Sequence, residues 1–312
     1  MSSDAVHAKL DRLDEYQKRH KSLALPVAVV RKFVEDQSTH LAAMIAFWAL
    51  FSIFPLLLVL VTLLGFFVPE SLRGGVLSKV GTMFPLVDAS AVQGLSGSWF
   101  ALIFGLVTAL WSGLRVVRIV QQAFNAVWEL PYAARPKFTE QIRRGLGVLG
   151  TVGLGLVLST LINGFIAGAA GVVHLGWVAH LFGYLIPIAL DVGLFVVAFR
   201  ILTDRSVTTR DVLPGALLAG VLFWVLQSAS SLVITTYLQH AQRTYGQFAT
   251  VITLLWWFYL QSLVTLLGAQ LNVVLKERLY PRALTEAPET AADRACHAYV
   301  RERAYHDHQR VN

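Results

Sequence analysis

One row of polar residues stands out by its spacing, at the end of the second apolar run of the sequence. Its members recur at intervals of four, three, four, three and four residues, so they share one face of a single helix. Two arginines on such a face could snorkel to lipid headgroups where the helix leaves the membrane. They could also line a cavity and hold an anion such as a lipid phosphate, because guanidinium groups bind phosphate strongly. The row consists of Trp111, Arg115, Arg118, Gln122, Asn125 and Glu129.

The fifth and sixth apolar runs carry similar polar stripes. Amides inside a bilayer need hydrogen-bond partners, so these stripes should point into the helix bundle. Either hydrogen bonding between helices or a polar conduit with a substrate pocket explains them. The stripes are Gln227, Ser231 and Thr235 in the fifth run, and Thr250, Thr253, Trp257, Gln261, Thr265, Gly268 and Asn272 in the sixth.

Asp191 is the one acidic residue near the middle of an apolar run. An ionisable group at such a depth is expensive and marks a candidate functional site, with a proton relay as one role. The alternative is that Asp191 is protonated, or paired with a polar group beside the helix kink expected at Pro187.

Hydrolytic and cofactor chemistry find little support in the sequence. Gly145, Gly147 and Gly150 spell GxGxxG, but a dinucleotide site needs a strand before that motif. Here the motif opens an apolar run with further glycines, which favours close helix packing in lipid. A single cysteine, Cys296, and the isolated His306-Asp307-His308 run do not make a metal site. We therefore expect no enzymatic activity, no metal and no cofactor.

The elements that carry these residues are long apolar runs. Only 14% of the 312 residues are charged, a fraction well below that of a typical soluble domain. The mean hydropathy is +0.59. About 20 apolar residues cross the hydrocarbon of a bilayer as a helix. The sequence therefore predicts an all-α polytopic membrane protein with six transmembrane helices. The runs are 41–68, 97–118, 146–172, 178–202, 213–238 and 248–275.

The distribution of positive charge predicts the orientation. Of the 26 lysines and arginines, all but Arg73, Lys79 and Arg243 fall on one side of the predicted helices. By the positive-inside rule that side is cytoplasmic, and it holds both termini. The basic charge is expected to face anionic lipid headgroups and not nucleic acid.

Three regions follow from this topology. Residues 1–35 are expected to form a cytoplasmic helix and a short amphipathic helix that lies at the membrane interface. Residues 36–278 form the six-helix domain, and residues 279–312 are expected to be a loosely held, polar cytoplasmic tail.

A set of motifs spans about residues 30–278. They are EDQSTHLAAMIAFWALFSIFPLLL around Asp36 to Pro55, Gln122, Asn125 and Trp128, Asp211-Val-Leu-Pro214-Gly215-Ala216, Tyr245-Gly246, and Trp256, Tyr259 and Leu267-Gly268-Ala269. Through these motifs the chain resembles the YihY/BrkB family of bacterial inner-membrane proteins. The resemblance implies six transmembrane helices and a bacterial plasma-membrane location, and it implies no established reaction. Family members once carried the label ribonuclease BN, which is regarded as a misassignment.

Two positions depart from the pattern of that family. Gln270 stands where the family usually has an acid, so a mechanism that needs a carboxylate there is in doubt for this chain. The frequent Pro-Asn of the loop after the fourth helix is replaced by Asp204-Arg205-Ser206.

Three functions remain after these observations. The leading hypothesis is a passive or ion-coupled transporter of an anionic lipid, an envelope precursor or another small molecule, because three helices carry polar faces. The alternative is a non-transporting membrane scaffold or envelope-integrity factor. A membrane-tethered ribonuclease is disfavoured, since no nuclease motif is present.

Overall fold

The computed structural model describes a largely helical chain. The described residues are 14–16, 20–67, 98–130, 139–151, 153–155, 176–203, 207–229, 246–283, 290–296 and 298, and they contain no β-strand. The helices are α1 (Lys21–Glu35), α2 (Ser38–Phe67), α3 (Trp99–Val127), α4 (139–151 and 153–155), α5 (Gly176–Leu202), α6 (Thr209–Ser228), α7 (Ala249–Lys276) and α8 (291–296).

Five of the described helices are long and apolar enough to cross a membrane. They match the first, second, fourth, fifth and sixth predicted runs, and the all-helical polytopic fold is confirmed. The third predicted run, 146–172, begins in α4 and continues beyond the described residues. The spanning stretches are Ser38–Val59, Trp99–Val127, Leu185–Leu202, Thr209–Ser228 and Ala249–Lys276.

The chain divides into two compact units. Unit 1 contains the described parts of residues 1–41, 120–224 and 263–312, and unit 2 those of 42–119 and 225–262. Unit 1 therefore holds α1, the end of α3, α4, α5 and most of α6, the second half of α7, and α8. Unit 2 holds most of α2, the first two thirds of α3 and the first half of α7.

Close contact between α6 and α7 organises the core of unit 1. The backbone N–H of Gly215 donates to the side-chain Oδ1 of Asn272 at 2.7 Å, and a Cβ on Gly215 would collide with the backbone oxygen of Gly268. Small residues at a helix contact in lipid allow such an approach of two backbones. The two helices are thus held in a fixed register.

The glycine-rich start of α4 does not pack as predicted. Among the described residues, a Cβ on Gly147, Gly150 or Gly153 would meet no atom within 4 Å. Close packing is found instead at Gly155, where a Cβ would press on the side chain of Leu194 in α5. Spacing alone identified the small residues, but which of them meets a neighbour depends on where α5 lies.

Helix α1 has one face buried in unit 1 and one face exposed. Ala24, Ala28 and Lys32 recur at intervals of four, and their exposed fractions are 1%, 0% and 0%. On the other face Val30 and Val34 are 58% and 67% exposed. This two-sided pattern is that of an amphipathic helix, and a turn of two residues, Asp36 and Gln37, joins it to α2.

The segment after α7 is not loosely held where it is described. Arg282, Ala283, Asp293 and Cys296 are 1%, 1%, 2% and 5% exposed. The polar composition predicted a loose tail, but in the described part of this segment Arg282 and Asp293 form ion pairs within unit 1. The His306-Asp307-His308 run, together with Ser231, Thr235 and the loop 70–96, lies outside the described residues.

Candidate functional site

A buried charge cluster in unit 1 lies between the end of α1, the end of α3 and the second half of α7. The Lys32 side chain is fully buried, and its Nζ donates to Asp36 Oδ2 and Glu129 Oε1 at 2.9 Å each. The side chains of Asp36 and Glu129 are only 12% and 3% exposed. The charge cluster therefore contains two carboxylates and one ammonium group with little access to bulk water.

Electrostatics keep Lys32 charged in this setting. Burial by itself lowers the pKa of a lysine, because the charged form loses its hydration. Asp36 and Glu129 outweigh that effect, and the pKa of Lys32 is raised above its usual value. A buried ammonium with two partners is stable only while both carboxylates remain in place.

The end of α3 places Glu129 in the charge cluster. The N–H of Leu130 donates to Asn125 O at 2.9 Å and that of Glu129 to Ala126 O at 3.0 Å, which is the Schellman pattern of helix ends. The residue at this position adopts a left-handed backbone and is usually glycine. Glu129 has φ 49°, so the chain holds a glutamate in a conformation that favours glycine.

Gln270 of α7 completes the charge cluster. Its Nε2 donates to Asp36 Oδ2 at 2.7 Å and to Ser38 Oγ at 3.0 Å, and the residue is fully buried. An amide at this position donates to Asp36 without carrying a charge or a removable proton. A mechanism that needs a carboxylate at residue 270 is therefore excluded for this chain.

A second set of ion pairs clamps the tail to α1. Arg282 donates to both carboxylate oxygens of Glu35 at 2.6 and 3.0 Å, and its Nε donates to Asp293 Oδ1 at 3.0 Å. Arg31 also donates to the carbonyl of Ala283. We call Arg31, Glu35, Arg282 and Asp293 the tail clamp.

Asp293 is the acceptor at the centre of the tail clamp. Burial raises the pKa of this carboxyl, but hydrogen bonds from Thr290, the Ala283 N–H and Arg282 outweigh it and leave the pKa well below its usual range. Its Oδ2 accepts from the Thr290 hydroxyl at 2.6 Å. The carboxylate is thus ionised at any physiological pH.

The polar row predicted on α3 is only partly buried. Trp111 is 62% exposed, Arg115 and Gln122 are also exposed, and Arg118 is half-buried. Gln121, the neighbour of Gln122, is 2% exposed and is the glutamine that faces inward. Buried positions lie on the side of α3 that carries Val117 and Phe124, and a one-residue step turns a helix by about 100°.

Three buried polar residues at intervals of four form the polar row of unit 1: Gln121 and Asn125 on α3, and Glu129 just beyond its end. They are 2%, 3% and 6% exposed. Neither the amide nitrogen nor the amide oxygen of Gln121 has a hydrogen-bond partner among the described residues. A buried amide without a partner is costly, so Gln121 marks a place where water or a ligand group would be stabilised.

Unit 2 contains a second arrangement, which we call the arginine–tryptophan site. The guanidinium carbon of Arg115 lies 4.3 Å from the ring centroid of Trp48 on α2 and 6.0 Å from that of Trp111. Arginine over an indole face is a favourable cation–π contact. The site holds a positive charge at the surface of a spanning helix.

The other predicted site residues are spread over both units. In unit 1, Asp191 is half-buried on α5, and Asn272 is 1% exposed and bonded to Gly215. In unit 2, Gln227 is exposed and Gln261 is half-buried. Asn272 thus joins two helices, as hydrogen bonding between helices would require.

Most of the chain matches a known protein family. The family described as Virulence factor BrkB matches residues 29–293, a range that includes the charge cluster and the tail clamp. The chain belongs to the BrkB family. No solved structure matches the chain.

Relatives of this BrkB-family chain are named only as membrane proteins. It is 27% identical over 275 residues to a "UPF0761 membrane protein" of Xanthomonas oryzae pv. oryzae, covering 85% of this chain and 64% of the relative. A relative in Xanthomonas euvesicatoria is 27% identical over 293 residues, with 90% and 68% covered. One in Xanthomonas campestris pv. campestris is 28% identical over 266 residues, with 83% and 62% covered. The chain thus spans about two thirds of the length of these relatives, and none of the names states an enzymatic activity.

Most of the charge cluster of this BrkB-family chain was missed by sequence reasoning. Lys32 and Asp36 stand four residues apart, and so do Arg31 and Glu35, a spacing at which opposite charges meet on a helix. That signal predicts the two local pairs. It does not predict that Glu129, Gln270 and Arg282 join them, because these residues lie far away in the sequence.

Proposed function

We propose that this protein is a transporter of a bacterial plasma membrane that moves an anionic lipid or an envelope precursor, with both termini in the cytoplasm. The observation that carries the proposal is the polar row of unit 1, and above all Gln121. The concentration of Lys and Arg on one side of the predicted helices supports the orientation. Membrane lipids are the expected partners, and nucleic acid is not.

The position of the polar row favours a path for a polar group through the protein over the alternative that α3 simply leaves the membrane there. Counted from Trp99 at about 1.5 Å per residue, Gln121 lies about 33 Å along α3, at the edge of a hydrocarbon core of about 30 Å. Polar side chains at that depth could reach water outside the protein at no cost. Gln121 instead points inward, where no described residue provides a hydrogen-bond partner for its amide.

Energetics strengthen this argument. A buried polar group without a partner costs about 1–3 kcal/mol. A scaffold that only needed stability would be better served by leucine at residue 121, since replacement of an unpaired amide by an apolar group is favourable. The presence of an amide at residue 121 therefore supports a role other than stabilising the fold.

Two adjacent glutamines allow a matched experiment. Gln121→Leu should abolish transport while protein stability stays the same or rises, because an unpaired amide is removed. Gln122→Leu changes an exposed glutamine of the same helix and should retain transport. Transport is measured as the dithionite-accessible fraction of fluorescent phosphatidylglycerol in reconstituted liposomes. Complementation of a deletion strain, with lipidomics of that strain beside its parent, extends the test to unlabelled lipids.

The proposal is wrong if the Gln121→Leu protein restores the lipid composition of the deletion strain as well as wild type does. A loss of stability in that variant would also count against it. Such a loss means that Gln121 is hydrogen-bonded inside a dry bundle.

A membrane scaffold is favoured by a different observation, the contact of Gly215 with Asn272. That bond satisfies the Asn272 acceptor inside the protein, as a dry helix interface requires. The scaffold predicts that Gln121→Leu and Gln122→Leu complement equally, so the same pair of variants separates the two functions.

A further inference from the structure

Arg115 occupies an unusual position for a charged residue. It lies on spanning helix α3, is exposed, and stacks on Trp48 at 4.3 Å. Among the described residues, no carboxylate lies within ion-pair distance of its guanidinium. In the described part of the chain, the guanidinium interacts with the two indole rings through cation–π contacts.

Depth makes this arrangement costly without a further partner. Trp99 begins α3, and Arg115 lies about 24 Å along the helix from it at about 1.5 Å per residue. A hydrocarbon core of about 30 Å then ends about one turn beyond Arg115. Arginine at such a depth reaches for the headgroup region, and it needs a counter-charge there.

The surroundings of Arg115 fit a lipid. Phe47 and Phe51 of α2 are 47% and 50% exposed, and their ring centroids lie 4.7 Å apart. Both rings lie beside Trp48, with ring centroids 5.6 and 6.3 Å from that of the indole, so an exposed aromatic surface adjoins the cation. Acyl chains match the aromatic surface, and a phosphate matches the guanidinium by bidentate hydrogen bonds.

We propose that Arg115 and Trp48 form a binding site for the phosphate of an anionic glycerophospholipid, in the leaflet at the C-terminal end of α3. A free phosphate ion would have to leave water to reach Arg115, whereas the phosphate of a lipid already lies at this depth. Zwitterionic phosphatidylcholine carries its own ammonium, which competes with Arg115. The site therefore selects a net negative headgroup such as phosphatidylglycerol.

Native mass spectrometry of the purified full chain in detergent tests the site. Phosphatidylglycerol is titrated against wild type, Arg115→Gln and Arg115→Lys. Arg115→Gln should weaken the tightest lipid adduct about tenfold or more, as expected for loss of a charge-assisted contact. Arg115→Lys should fall between the two, since it keeps the charge but loses the planar stacking group. Trp48→Leu should weaken binding by a smaller factor.

Matched controls separate this site from general attraction of lipids to a basic protein. Arg294→Gln removes the same charge at an exposed position outside the spanning helices and should leave the tightest adduct unchanged. Binding at equilibrium needs no transport, so failure of the lipid site and failure of the transport function give different results.

Three outcomes would overturn the proposal. One is an equal loss of affinity in Arg115→Gln and Arg294→Gln. Another is an equal dependence of phosphatidylcholine and phosphatidylglycerol binding on Arg115. The third is displacement of the lipid by inorganic phosphate at a similar concentration, which would assign the site to a free anion.

Discussion

Replacement of Lys32 by methionine is the sharpest test of the charge cluster. Methionine fills a similar volume and keeps the helix propensity of α1. It removes the one ammonium that lies 2.9 Å from both Asp36 and Glu129. The carboxylates of Asp36 and Glu129, which have little access to bulk water, then face each other without this ammonium group.

The size of the effect follows from burial. Loss of one partner from a buried ion pair costs about 3–5 kcal/mol, because the remaining charge keeps its desolvation penalty. Lys32 is fully buried and serves two carboxylates, so Lys32→Met should cost about that much. Removing all three charges together, with Asp36→Asn and Glu129→Gln added, should recover most of it, since a neutral buried group is far cheaper than an unpaired charge.

Reversible unfolding by sodium dodecyl sulfate in mixed micelles measures these differences. Arg143→Gln is the matched control, because its ion pair with Glu140 is on the surface and the Arg143 side chain is 79% exposed. That control should show no measurable change. The reasoning fails if Lys32→Met behaves like Arg143→Gln, or if the triple variant is no more stable than Lys32→Met alone. Either result would mean that water reaches the charge cluster freely.

The remaining predictions concern helix packing and the tail clamp. Gly215→Ala should destabilise the protein by about 1–3 kcal/mol, because the added Cβ meets the backbone of Gly268. Gly193→Ala, whose Cβ meets no described atom within 4 Å, should be neutral or stabilising by up to about 1 kcal/mol in the same unfolding assay. Asp293→Asn should lower stability at neutral pH. Because the pKa of Asp293 is lowered on folding, its contribution is complete above the unfolded pKa of about 4 and decreases as pH falls below it. The stability difference between wild type and Asp293→Asn should therefore be constant from pH 7 to 5 and shrink towards pH 3; a constant difference down to pH 3 would contradict this account.

Local hydrophobicity accounts for what sequence reasoning predicted correctly. A stretch such as Trp99–Val127 needs no partner to be recognised, because its apolar length alone matches the bilayer. The same holds for the two faces of α1, since the rotation of about 100° per residue is a property of any helix. Which of two adjacent glutamines is buried is a different matter: the sequence pattern pointed to Gln122, whereas packing buries Gln121.

The tail and the charge cluster show the limit of local patterns. Polar composition predicted a loose segment after residue 279, yet Arg282 is 1% exposed, paired with Glu35 and Asp293. Residues 35 and 282 meet only because α1 and the end of α7 lie side by side in unit 1. No periodicity along the chain contains that information.

The amino-acid sequence by itself determined that this is a multi-helix membrane protein, because the cost of moving apolar and charged groups between water and lipid depends on composition and spacing. The tertiary structure alone decided which polar groups meet. It placed Lys32 between Asp36 and Glu129, and Arg115 over Trp48. Electrostatic and hydrogen-bond energies fall off within a few ångströms, so they depend on contacts that helix packing creates.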